Sequence, residues 1–197
     1  MTFDGYPLRG TVVSMSRDRP GNEPPITVLR RVLLIGAGGH ARVCISALRD
    51  SGVEVVGSVS DRAAVAGLGI DVVGVDTEFA RFADELGVNA GFVAIGDNRV
   101  RARFAAQISD SGRPLATAIS RSAIIDADVT IGAGSLVMPG AVINAASTVG
   151  PGAIVNTSAS VDHDCTIGAF VHVAPGATLG GGVTIEAYAM IGIGATV

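Results

Sequence analysis

From Ile125 onward a branched aliphatic residue returns at every sixth position: Ile125, Ile131, Val137, Ile143, Val149, Val155, Val161, Ile167, Val173, Leu179, Ile185, Ile191 and Val197. Two residues earlier stands a small or β-branched residue, as at Val129, Ser135, Ala141, Ser147, Ala153, Ala159, Cys165, Val171, Ala177, Val183, Ala189 and Ala195. A helix would bring apolar residues back after three and four. A strict period of six, with an inward pair at i−2 and i, suits short strands that turn a corner every sixth residue. Three such hexads close a triangular coil of 18 residues, and successive coils stack at about 4.8 Å, the inter-strand distance. The repeat predicts a parallel β-helix over residues 120–197.

Residues 30–119 follow another rule: short β-rich runs ("RVLLIG", "VEVVGSVS", "GFVAIG") alternate with amphipathic segments ("GHARVCISALRDSG", "DTEFARFADELG", "NRVRARFAAQISDSG"). This alternation predicts βαβ units and a small Rossmann-like parallel sheet. Residues 1–29, with "SRDRPGNEPP", have no usable periodicity and read as a disordered lead-in. The chain is 48% hydrophobic and 16% charged, enough for a sizeable core. A net charge of −4 gives no electrostatic reason to expect nucleic acid or an anionic membrane as partner. No apolar run approaches the ~20 residues of a membrane span. Cys44 and Cys165 suggest neither a disulfide framework nor a zinc site, and a reducing cytoplasm fits them.

The chemistry-bearing residues interrupt the repeat. In "SVDHDCTIG" Val161 points inward, so His163 falls on a corner where a side chain can leave the core. Asp164 can take a hydrogen bond from one ring nitrogen and leave the other as a proton acceptor, which is a general-base arrangement. The rival reading is a solvated polar corner. His172, half a coil further on, faces outward between inward Val171 and Val173. The two rings can converge only if another subunit brings up its own surface; a plain surface histidine is the alternative. Gly181 should stack one coil from His163, within "GGG", where backbone can approach a ligand closely and an N–H can polarise a carbonyl. A tight corner would need glycine there too. Cys165 is inward and reads as packing. In the first domain "LLIGAGGHA" fits a strand, a glycine turn and a helix start, a place for a diphosphate on free N–H groups. Asp61, after the second strand, suits a ribose hydroxyl.

Taken together, "LLIGAGGHARV", "AIGDN", "VNTSASVDHDC" and "VAPGATLGGGV" resemble the hexapeptide-repeat sugar O/N-acyltransferases. That family includes nucleotide-4-amino-sugar N-acetyltransferases and sialic acid O-acetyltransferase-like proteins. The resemblance covers residues 30–197 and implies a left-handed coil, the hand that the general crossover rule would not favour. It implies acetyl-CoA as acyl donor, no metal, and a cytoplasmic homotrimer with sites between chains. By the same resemblance His163 is the base, Asp164 its orienting partner, and Gly181 the group that assists the thioester carbonyl. His172 and Gly181 would lie near acetyl-CoA, and Asn156 near the base or substrate, although an asparagine ladder inside the coil is an open alternative. Gly38, Gly39, His40, Asp61, Asp97 and Asn98 would hold the nucleotide part of an amino-sugar acceptor.

The chain also departs from the pattern. Ser60 and Asp61 stand where relatives often show two acids, and "SRSA" at 120–123 replaces the usual "HPSA", a change expected to touch the domain junction. The repeat stops at Val197 in mid-rhythm, from which a truncated β-helix and reduced activity are expected. The expected reaction is N-acetylation of a UDP- or GDP-linked amino sugar. Alternatives are O-acetylation of a sugar hydroxyl or a catalytically inactive β-helical trimer. A zinc-dependent helix of the carbonic anhydrase kind is disfavoured, because His163 and His172 are the only histidines of the repeat.

Overall fold

The computed structural model describes residues 30–197, together with the backbone of three short strands, β1 (Thr2–Phe3), β2 (Tyr6–Pro7) and β3 (Val13–Ser14). The lead-in expected over residues 1–29 otherwise lies outside the described residues. β1 pairs antiparallel with β2, and β3 lies antiparallel against the first coil at Thr130–Ile131.

The first domain is built from β4 (Arg31–Ile35), α1 (Gly39–Asp50), β5 (Glu54–Val59), β6 (Val72–Gly74), α2 (Phe79–Glu85), β7 (Ala90–Val93) and α3 (Asn98–Asp110). Its four strands are parallel in the order β6-β5-β4-β7. The chain therefore changes direction across the sheet between β4 and β7, the crevice position where such sheets bind ligands beyond their carboxyl ends. α1 buries Ala41, Cys44, Ile45 and Leu48, one stripe at helical spacing. That stripe packs both on the sheet and on Ala118, Leu136 and Ile154 of the β-helix. One apolar cluster thus joins the two domains, each fully buried aliphatic side chain contributing about 1.5–3 kcal/mol.

The remainder is a left-handed parallel β-helix of two-residue strands. One face carries β8 (Ala118–Ile119), β11 (Leu136–Val137), β14 (Ile154–Val155), β17 (His172–Val173) and β20 (Met190–Ile191). The second carries β9 (Ile124–Ile125), β12 (Val142–Ile143), β15 (Ser160–Val161) and β18 (Thr178–Leu179). The third carries β10 (Thr130–Ile131), β13 (Thr148–Val149), β16 (Thr166–Ile167) and β19 (Thr184–Ile185). Pairing of Thr130 with Thr148, Thr166 and then Thr184 in parallel register makes each coil 18 residues, as the period demanded. From Ile131 to Leu179 the inward positions are 0–3% exposed; at the last coil Val197 is 52% exposed.

Corners obey the period as well. Gly134, Gly140, Ala146, Gly152, Ser158, Asp164, Phe170, Gly176, Gly182, Tyr188 and Gly194 all have φ between 55° and 76°. From Gly134 onward each corner thus contains one left-handed residue, most often glycine, which takes that conformation without a Cβ clash. Small polar residues at i−2 supply a second device. Ser135 Oγ donates to the Gly150 carbonyl (2.9 Å), Ser147 Oγ to that of Asp162 (2.8 Å), and Cys165 Sγ to that of Gly180 (3.2 Å). Each inward side chain pegs the corner above it. Among the described residues no helix is long and apolar enough to cross a membrane.

Candidate active site

His163 occupies the first corner, residues 162–164, between β15 and β16. Its side chain is 62% exposed, and Nδ1 donates to Asp164 Oδ2 at 2.7 Å. That bond leaves Nε2 as the acceptor in the neutral ring. The Asp164 bond, reinforced by the nearby Asp162 charge, raises the imidazole pKa above its ordinary value. Asp164 can reach the ring because it is the left-handed residue of its corner, at φ 57°, a conformation that a short acidic side chain tolerates. Gly181 lies directly over the ring: a Cβ there would come within 2.7 Å of both Cε1 and Nε2. The missing side chain is what gives the ring its seat, and the Gly181 main chain borders the free nitrogen. His163, Asp164 and Gly181 therefore converge as expected.

His172 lies elsewhere. Nine residues on is half of an 18-residue coil, so it projects from the face opposite the first corner. His172 leaves the coil outward, as expected, but its own first domain covers that face: it is only 8% exposed, which removes the alternative of a plain surface histidine. Leu136 and Ile154 below it in the same column are covered likewise. Its Nε2 accepts from Asn156 Nδ2 at 3.0 Å, so Asn156 serves His172 rather than His163 within one chain, and it sits on the third corner rather than in an inward ladder. The His40 ring, at the start of α1, lies 6.2 Å from His172. Burial, the His172 ring and the Arg101 cation push the His40 pKa down to about 4. His172 is lowered chiefly by burial and then by Arg101. The His40 Nε2 atom is itself buried without a hydrogen-bond partner.

The other expected contacts gather at the carboxyl edge of the sheet, where chain topology delivers them from three strands. Gly38 and Gly39 follow β4, with open space where their side chains would be and no acid in the first turn of α1. Such a helix start is suited to an anion. Asp61 follows β5; its Oδ1 accepts the Asp76 N–H at 3.1 Å, on a cleft of about 710 Å³ shared with Asp76, Thr77, Arg103 and Gln107. Asp97 caps α3 by accepting from the Val100 N–H at 2.8 Å. Asn98 is fully engaged in joining the domains: its amide donates to the Tyr188 and Ala189 carbonyls at 2.9 and 3.0 Å and accepts from Arg101 at 2.7 Å.

Arg101 itself was not legible as special. It is 2% exposed, and its guanidinium donates to the carbonyls of Gly152 (2.8 Å), Ile95 (3.1 Å), Gly96 (2.9 Å) and Phe170 (3.0 Å). Burial lowers its pKa to about 10. At the other end of the junction Asp50 Oδ2 accepts from Ser120 Oγ (2.8 Å) and the Arg121 N–H (2.7 Å), so "SRSA" does lie where the domains meet. Among the described residues no group of three or more His, Cys, Asp or Glu side chains is placed to hold a metal ion.

Comparison with known proteins agrees with this geometry. Residues 31–108 match the PglD N-terminal domain family. The chain is 36% identical to the acetyltransferase domain of PglB from Neisseria gonorrhoeae in complex with acetyl coenzyme A, with a TM-score of 0.77 over 85% of this chain and 81% of that one. It is 40% identical to PerB from Caulobacter crescentus in complex with CoA and GDP-perosamine, with a TM-score of 0.70 over 84% and 87%. An uncharacterised protein, L142, of Acanthamoeba polyphaga mimivirus is 34% identical over 107 residues, or 54% of this chain and 21% of that protein. The chain thus spans about a fifth of the viral protein. The 18-residue register of two-residue parallel strands defines the class: a hexapeptide-repeat protein with a parallel-sheet first domain. The chain belongs to the hexapeptide-repeat sugar acetyltransferase family.

Proposed function

We propose that this protein transfers the acetyl group of acetyl-CoA to the amino group of a nucleotide-linked amino sugar, with His163 as general base. The observation that carries the reading is the exposed ring whose Nδ1 is held by Asp164 at 2.7 Å and whose Nε2 is left to accept a proton. An amine attacks a thioester only as the neutral base. Nε2 takes the proton that the nitrogen sheds as the new amide bond forms, Asp164 stabilises the resulting imidazolium, and the proton passes to the coenzyme A thiolate released as the C–S bond breaks. The Gly181 N–H, on the residue stacked against the ring, would assist the carbonyl oxygen as it gains charge. The glycine turn at Gly38 and Gly39, with His40 and Asp61 beside it, would take the nucleotide. His172 and Asn156, bonded to each other beside His40, would border the same end of the site as the glycine turn, where the acyl donor meets the acceptor. The base projects from a corner opposite the domain-covered face, away from its own chain's nucleotide cleft, which supports a homotrimer in which a second chain would bring its cleft up to the base. Complexes of the PglB domain with acetyl coenzyme A and of PerB with CoA and GDP-perosamine support the substrate class.

The test is coenzyme A release with a panel of UDP- and GDP-linked amino sugars. His163→Ala should lower kcat by roughly 10²–10⁴-fold with nucleotide-sugar binding retained. A variant at full rate would remove His163 from the base role, and an alkali-labile ester as product would replace the amine by a hydroxyl acceptor.

A further inference from the structure

The corner that carries His163 is held by more than its own turn. Asn144 and Asp162 occupy equivalent corner positions one coil apart, following Val142 and Ser160, which pair in register. The Asn144 Nδ2 amide donates upward to Asp162 Oδ1 at 2.9 Å, and the same oxygen accepts the main-chain N–H of His163 at 2.8 Å. From the core side Ser147 Oγ donates to the Asp162 carbonyl at 2.8 Å and accepts the Cys165 N–H at 3.0 Å. Asp162 is therefore pinned to the coil below through its side chain and its carbonyl, and Asp164 through its N–H, which donates to the Ala145 carbonyl at 3.0 Å. Acyl transfer leaves little room for drift of the base, since reacting atoms need to lie within about 3–3.5 Å.

We propose that Asp162, braced from below by Asn144, is a positioning residue for the base: its carboxylate fixes the main chain at His163 and places a second negative charge beside the ring. This rests on the reading of His163 as base. The titratable groups facing the ring are Asp162 and Asp164; the stacked corners, Asn144 to Ala146 below and Gly180 to Gly182 above, carry none. The bonds from Asn144 and the His163 N–H hold Asp162 below the usual carboxylate range, so it stays charged wherever the base works. That charge is the second contribution, after the Asp164 bond, to the raised pKa of the imidazole.

Three variants separate brace from charge in the coenzyme A release assay, with kcat/KM followed against pH and folding by thermal melting. Asp162→Asn keeps an oxygen acceptor for both N–H groups but removes the charge; the acid limb of the profile should move to lower pH. Asn144→Ala keeps the charge and removes the brace; kcat should fall several-fold with the limb unmoved. Asp162→Ala should do both. Wild-type kcat and an unmoved limb in all three, with His163→Ala inactive, would overturn the positioning role and leave the base reading standing. Full activity in His163→Ala would overturn both. If the alanine variants do not fold, Asp162→Asn decides: an unmoved limb overturns the proposal.

Discussion

The first and second corners of one coil share a backbone and differ in everything else. Both place a left-handed residue at the same step, Asp164 at φ 57° in the first and Phe170 at φ 55° in the second. Above the first corner stands Gly181, which leaves the space that the His163 ring uses. In the second corner the space is filled: Phe170 stacks on Tyr188 at 5.8 Å, over Gly152, where a Cβ would meet the Phe170 ring at 2.3 Å. Arg101 then ties the carbonyls of Gly152 and Phe170 to the first domain. A repeat can thus make an exposed, reactive edge and a sealed, load-carrying one from the same turn, by the choice of one side chain in the column.

The sealed corner should show the largest response to a break. Arg101→Met leaves buried carbonyls without donors and should cost about 3–5 kcal/mol of stability, read from urea unfolding; Arg101→Lys, which cannot span the same acceptors, should fall between. The His40 and His172 pair sharpens the contrast through pH. A histidine whose folded pKa is depressed binds protons more readily when unfolded, so stability is lost as pH falls from about 6.5 towards the His40 value of about 4. That loss should be on the order of 1–3 kcal/mol, and urea unfolding at a series of pH values should find it reduced in His40→Gln. His163 runs the opposite way: its raised pKa concerns an exposed ring and should show in the activity profile rather than in stability. The smallest effect belongs to the open corner. Gly181→Ala displaces only an exposed ring held by its one bond to Asp164, so the melting temperature should hardly move while kcat falls at least tenfold, about 1.4 kcal/mol on the barrier.

How far the sequence could be read follows the same division. The hexad list predicted the inward side chains correctly because one residue type at one spacing has one place to go in a coil. The His163, Asp164 and Gly181 constellation followed by counting 18 along the chain. For His172 counting says correctly which face the residue leaves from and nothing about what covers that face; the cover comes from the first domain, with His40 of α1 6.2 Å away, distant in sequence. Arg101 gave no signal, since an arginine in an amphipathic helix ordinarily reaches water. Ser135 and Ser147 passed as merely small, and their hydroxyl bonds to the corner above became visible only with the coils stacked. Asn98 carried a motif but spends its hydrogen bonds on the domain junction.

The 18-residue register has one more consequence. Lengthening such a coil by a full turn below the imidazole would raise it by about 4.8 Å along the axis and keep its azimuth. Lengthening it by a single hexad would swing it through a third of a revolution onto another edge. Growth of this architecture is thus quantised: whole revolutions preserve the edge from which the base projects, and thirds of a revolution move it to another edge.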